Sequence, residues 1–304
     1  AIQAYFKYFE ILPSDTNTLA PDNPDDPSAS DAVIALTNLL IIENRVAEAE
    51  KFVLYEKELH RQMGPPFDRN LLPIYETALL LAQADIYFAR GNFTEGIVQL
   101  NEALKIQPEF YLIWSRLHDM YISKGLYSEA KEAAEKDIKL YPEHSFGWMM
   151  LANAHWYLGE YEASVDTLRK FTAIKKNDYY IWNQLGGFLT QLHRFQEAID
   201  CYKQAIYLKP DHAEAHTGLG NAYSNLGRYE DAIETFKQAI RIKPDCADAY
   251  NDWGAALGFL AQKKDGEVRQ QLLAEEREKC LKAESIKTGA GAYNLACVCA
   301  LLGD

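Results

Sequence analysis

The sequence predicts an all-α fold, an α-α superhelix: a right-handed solenoid of helix-turn-helix pairs. Three observations predict it. First, the chain repeats itself every 34 residues, most cleanly over 179–246, where Leu185 falls on Leu219, Gly186 on Gly220, Ala198 on Ala232, Tyr202 on Phe236 and Pro210 on Pro244. Second, the same offset generates columns along much of the chain. Trp114, Trp148, Trp182, His216 and Tyr250 form one, and Leu117, Leu151, Leu185, Leu219 and Trp253 another. Third, Trp182, Leu185, Gly186 and Leu189 stand at i, i+3, i+4 and i+7, the spacing of one helix face.

Taken in order, residues 1–13 repeat the spacing Ala1, Tyr5, Tyr8, Pro13 of a second helix whose first helix is absent. Residues 14–30 are acidic and Pro-rich and read as a loop, with too little apolar surface to order themselves. Residues 31–72 read as a divergent helical pair and a linker; Val33, Leu36 and Leu40 have helical spacing, and 45–52 resembles 228–236. The regular array spans 73–260, with units beginning near 77, 111, 145, 179, 213 and 247. Within each unit the turn falls at Gly91, Gly125, Gly159 or Gly227, with His193 as the exception, and an aromatic follows two residues later. The small residues Gly186 and Ala198 let two helices approach closely, and Pro210 stops one pair before the next. Residues 261–304 hold a loop insertion, a charged helix and a truncated final repeat. No pair buries its apolar face alone, so neighbours must stack.

This pattern resembles the tetratricopeptide repeat: W-x2-L-G-x2-Y, then A-x3-F, then P. The residues carrying it are Trp182, Leu185 and Gly186 with Ala198, Tyr202 and Pro210, then Leu219, Gly220 and Tyr223 with Ala232, Phe236 and Pro244. The match is good over 77–176 and weaker over 31–62, and covers roughly four-fifths of the chain.

Composition narrows the function. A net charge of −13, from 31 basic and 44 acidic residues, argues against nucleic acid and anionic membrane surfaces. No apolar run is long enough for membrane insertion. Five cysteines without disulfide-framework or zinc spacing read as reduced thiols, which favours the cytoplasm. The first residue is Ala1, so a truncated N-terminus is expected.

Neither a catalytic constellation nor a cofactor or metal site is expected. Gly218 and Gly220 sit inside a helical repeat, without the third glycine of a dinucleotide loop. His212 and His216 are four apart, but His216 belongs to the Trp column. Cys297 and Cys299 point to different faces of a helix. Glu275 and Glu276 lie in a charged helix and read as a solvated face.

The resemblance implies that first-helix side chains beside the core stripe line a groove for an extended peptide. The matching positions include Asn153, Asn183, Asn221 and Asn251, whose amides offer both donor and acceptor to a peptide backbone. Phe146, Met149, Trp156, Tyr180 and Gln184, with Met150 and Tyr157, cluster beside that ladder as apolar and polar anchors. Some members of the family clamp a carboxylate with Lys, Asn and Arg. Here the matching windows hold Ser115, Asp119, Met150, Tyr180 and Gln184, then Asn183, Gly187, Gly218, Asp248 and Asp252, without the cations. Asp248, Asp252 and Glu214 favour a neutral or basic peptide over an acidic one.

The expected function is therefore a non-catalytic protein-protein interaction scaffold whose groove binds an extended peptide or partner helix. The alternative is a substrate-recruiting arm of a larger enzyme, such as a glycosyltransferase, with its catalytic domain outside this chain. Self-association through the open ends, 1–13 and 289–304, is a third expectation.

Overall fold

The computed structural model describes residues 28–63 and 72–302, and all structural statements below concern those residues. The readings of 1–13 as a helix, of most of 14–30 as a loop, and of the linker before Leu72 lie outside them. Among the described residues there are fifteen α-helices and no strand. They are α1 (Ser28–Ile42), α2 (Val46–Met63), α3 (Leu72–Ala89), α4 (Phe93–Ile106), α5 (Tyr111–Lys124), α6 (Tyr127–Leu140) and α7 (Ser145–Tyr157). The chain continues through α8 (Tyr161–Ile174), α9 (Tyr179–Gln191), α10 (Phe195–Leu208), α11 (Ala213–Asn225) and α12 (Tyr229–Ile242). It closes with α13 (Ala247–Ala261), α14 (Gly266–Ile286) and α15 (Ala292–Leu302). From α5 onward the first helices begin at 111, 145, 179, 213 and 247, one period apart. Helix α1 starts at Ser28, inside the stretch read as loop.

The helices divide into two compact units, one ending at Leu158 and the other beginning at Gly159. In the first, α1 packs on α2 and α3, then α3 on α4 and α5 on α6. One core gathers Leu40, Phe52, Val53 and Ile86; another gathers Leu100, Ile113, Leu117 and Met120. In the second unit α9 packs on α10, α11 on α12, and α13 on α14. First helices also meet one another there, α9 against α11, α11 against α13 and α13 against α15, so they share one face. Second-helix rings fill the pairs. A Cβ on Gly186 or Gly218 would lie 2.8 or 2.5 Å from the Tyr202 ring, and one on Gly220 would lie 2.5 Å from the fully buried Phe236 ring. The Gly218/Gly220 pair therefore serves helix packing.

Each pair turns through one left-handed residue. Gly91, Gly125, Gly159 and Gly227 have φ between +72° and +78°. His193 takes the same role at φ 57°, and so does Asn44, at φ 59°, between α1 and α2. A side chain other than glycine's pays about 1–2 kcal/mol there. Replacing His193 with Gly should raise the stability of the second unit by about 0.5–1 kcal/mol, after the added entropy of the unfolded chain is subtracted. Urea titration measures this; a lower midpoint would show that the His193–Phe195 edge contact at 5.5 Å outweighs the strain.

The Trp column has a purpose that spacing alone does not show. Nε1–H of Trp114 donates to the Pro108 carbonyl, that of Trp148 to Pro142 and that of Trp182 to Lys176, at 3.1, 2.8 and 2.8 Å. Each bond runs six residues back and ties a first helix to the junction that precedes it. His216 keeps the bond, with Nε2 2.9 Å from the Pro210 carbonyl. A carbonyl only accepts, so Nε2 carries the proton.

Two elements differ from the sequence expectation. Helix α14 opens at Gly266, so the loop insertion expected from residue 261 onward is confined to 262–265. It is not solvated all round: Leu273, Glu276, Cys280 and Ala283 recur at helical spacing as a buried stripe, and α14 packs on α13. Glu276 is 6 % exposed, which corrects the reading of a solvated acidic face. The cause is Gly258 on α13, where a Cβ would lie 2.7 Å from the Glu276 carboxylate. A bare backbone leaves room for a side chain that charge patterning assigns to water.

Candidate peptide-binding face

In the second unit the shared face of α9, α11, α13 and α15 carries Tyr180, Asn183, Gln184, Asn221, Asn251 and Asp252. Asp178 caps α9 by accepting from the backbone N–H groups of Tyr180 and Ile181 at 3.1 and 3.2 Å, which fixes where this helix begins. Tyr180 is exposed, while Asn183 and Gln184 are half-buried. The Asn183 Oδ1 atom is buried and has no hydrogen-bond partner among the described residues. A buried carbonyl oxygen of this kind costs about 1–3 kcal/mol while it stays unpaired.

The other two asparagines stand beside a carboxyl. The Asn221 and Asn251 side chains are near enough to the Asp252 carboxyl to favour its charged form. Burial raises the pKa of Asp252, the two amides work against that rise, and Asp248 adds to it. Asn251 Oδ1 also accepts from Asn294 Nδ2 of α15 at 2.9 Å. Asn294 stands 43 residues beyond Asn251, nine more than the period, because α14 is longer than other second helices. These asparagines are thus not equivalent rungs: Asn183 keeps a buried, unpaired Oδ1, whereas Asn221 and Asn251 stand beside the half-buried Asp252 and Asn251 is bonded to Asn294. Asn294 was missed because the extension shifts it out of the 34-residue column.

In the first unit α7 carries Phe146, Met149, Asn153 and Trp156. Phe146, Asn153 and Trp156 are half-buried, and Tyr157 is exposed and stacked on Tyr127 at 5.2 Å. Met149 and Met150 are 9 % and 1 % exposed, so both are core side chains rather than surface anchors. A thioether at this spacing fills an interior gap, and the apolar stripe of α7 is wider than the sequence suggested. On first helices α3 and α5, Arg116 donates through Nε to Asp85 Oδ1 at 2.7 Å. Asp85 is 8 % exposed, and burial raises its pKa although Arg116 opposes the rise. Both residues occupy columns that hold Asn or Gln in later repeats, so the same columns form an ion pair here.

Burial pushes the Cys201 and Cys280 thiols up to about 12, which keeps them protonated. His212 Nδ1 lies 3.0 Å from Glu214, and burial lowers its pKa, with Glu214 opposing. Among the described residues no helix is long and apolar enough to cross a membrane.

Paired helices in one period, left-handed turns and ring N–H junction bonds define a tetratricopeptide-repeat protein. The chain belongs to the family described as Cilia and flagella-associated protein 70 C-terminal domain, whose model matches residues 74–290. No curated protein matches the sequence. Among solved structures the chain is similar to the Cut9 complex in the crystal structure of the APC/C hetero-tetramer Cut9-Hcn1, at 15 % identity and a TM-score of 0.56, covering 98 % of this chain and 59 % of that one. That likeness is one of fold. It is also similar to a crystal structure of MamA protein, at 25 % identity over 58 % of this chain and 93 % of that one, with a TM-score of 0.48. The thermophilic protein TTC0263 of Thermus thermophilus is similar at 21 % identity over 60 % of this chain and 98 % of that one, with a TM-score of 0.49.

Proposed function

We propose that this protein is a non-catalytic interaction scaffold that holds an extended peptide on the first-helix face of its second unit. The observation that carries the reading is the buried, unpaired Oδ1 of Asn183, between exposed Tyr180 and half-buried Gln184. An unpaired acceptor favours an outward turn of the half-buried Asn183 amide onto a ligand N–H, and an extended peptide presents such groups along its backbone. Tyr180 supplies an exposed ring for an apolar side chain. Asp248, Asp252 and Glu214 favour a neutral or basic segment. The family description makes ciliary and flagellar proteins the first partners to screen.

The test uses a peptide selected by display against the wild-type protein. Asn183→Ala should weaken that peptide about 3–10-fold by fluorescence anisotropy, the worth of one hydrogen bond. It should leave thermal stability unchanged or raise it, because it removes an unpaired oxygen. Equal affinity in the variant removes Asn183 from the binding face. Asn221→Ala is the poorer probe, since it also removes a group that favours the charged form of the Asp252 carboxyl.

A further inference from the structure

An aromatic groove lies in the first unit at a junction between pairs, beside the Trp148–Pro142 bond and with its His144 ring 6.2 Å from Phe146. A surface groove of about 560 Å³ is lined by Tyr111, Leu140, Tyr141, Pro142, Glu143 and His144. Tyr111 opens α5, and the others form the junction between α6 and α7. The rings stand nearly perpendicular: Tyr111 to His144 at 5.2 Å and 83°, Tyr111 to Tyr141 at 6.2 Å and 80°. The Tyr141 hydroxyl donates to the Glu109 carbonyl, which fixes its ring. Tyr111, Leu140 and Tyr141 are all exposed in spite of their apolar surface.

The chain contains this arrangement twice. Two periods on, Tyr179, Lys209, Pro210, Asp211 and His212 occupy the places of Tyr111, Tyr141, Pro142, Glu143 and His144. The Tyr179–His212 pair repeats the edge-to-face geometry, at 5.1 Å and 74°. There the junction residue is a lysine, and its ammonium sits 4.6 Å from the Tyr179 ring centroid while donating to the Tyr179 hydroxyl at 3.3 Å. The second site is thus filled from within by a cation. In the first site a tyrosine replaces that lysine, adds a second aromatic wall, and brings no charge of its own. Glu143 borders the groove and has no ion pair with a described residue. His144 Nδ1 faces the buried Asp137 carboxyl at 3.5 Å; burial raises the pKa of that carboxyl and His144 opposes the rise, so the pair holds the His144 ring in place and leaves Glu143 as the rim charge.

We infer that the Tyr111–Tyr141–His144 groove takes a lysine side chain from a basic segment of a partner protein, in the role that Lys209 plays for Tyr179. Ring faces attract an ammonium through their quadrupole, and the attraction grows where water is partly excluded. Glu143 supplies the opposite charge at the rim.

The test follows tyrosine and histidine ring signals of the full chain by NMR, with 13C-labelled rings assigned by substitution. N-acetyl-lysine methylamide is the first probe and N-acetyl-glutamine methylamide the neutral control. The lysine probe should shift the Tyr111, Tyr141 and His144 signals saturably, and the glutamine probe should not. Glu143→Gln should weaken the lysine probe about two- to fivefold, as expected for a rim charge. Tyr141→Lys should close the site to the probe by reproducing the second site; lysine already stands at 175, 209 and 243, so this exposed junction position tolerates it. Equal shifts with both probes, shifts confined to other rings, no shift at all, or wild-type binding by Tyr141→Lys would each overturn the inference.

Discussion

Phe236→Ala should destabilise the second unit by about 3–5 kcal/mol, the range for deleting a fully buried ring. Phe236 is 0 % exposed and fills the space between α12 and the Gly220 backbone of α11. The same geometry predicts a coupling. Gly220→Ala alone places a methyl 2.5 Å from the ring and should cost about 1–3 kcal/mol, despite the gain in helix propensity. With the ring gone, that methyl has room and a helix-favouring backbone. The double variant should therefore be more stable than Phe236→Ala alone, with a coupling of about 1–3 kcal/mol. Urea denaturation of the four proteins measures it; additive costs would mean that Gly220 is not the residue that admits the ring. In a repeat array the loss falls first on the affected pair and its neighbours, so the transition of the variant should also broaden.

Glu276 gives the second large effect, and it depends on pH. Burial pushes its carboxyl from an ordinary 4.5 up to about 7. Between those values the folded chain holds a proton that the unfolded chain releases. The stabilising contribution is therefore complete below about 4.5 and is lost as pH rises through about 7. Glu276→Gln removes the proton while keeping the shape. The variant and wild type should match at pH 4, and at pH 8 the variant should be more stable by about 3 kcal/mol. Taking the difference between the two proteins cancels the titration of His212, whose lowered pKa acts in the opposite direction. A difference that does not change with pH would show that the carboxyl reaches water as the chain titrates.

The helix pairs were legible because their causes are local and periodic. A glycine under a ring, a left-handed turn residue and an apolar stripe each repeat every 34 residues, so one clear unit teaches the rest. Asn44 was harder: it turns the chain as the glycines do, yet its unit shares little else with the template. Glu276 was misread because charge patterning on α14 says nothing about a bare glycine on α13. Candidate site residues were legible as positions on first helices. Their states were not: whether an amide oxygen is unpaired, as at Asn183, or accepts from another amide, as at Asn251, depends on side chains 30 or more residues away. Met149 shows the same limit, since two adjacent methionines on one helix gave no sign that both are interior.

The bond from Trp114, Trp148, Trp182 and His216 to the preceding junction has a consequence for how these units evolve. Its acceptor is a main-chain carbonyl, which every amino acid supplies, so Lys176 serves where Pro108 and Pro142 do. Its donor needs only an N–H at the reach of a large ring. The proline and the tryptophan that mark the repeat are thus separately replaceable, and the junction survives losing either. Histidine extends that tolerance across pH, because Nε2 donates in the neutral tautomer used here and in the protonated ring alike. A junction built in this way is indifferent to much of the mutation that erodes its sequence signature.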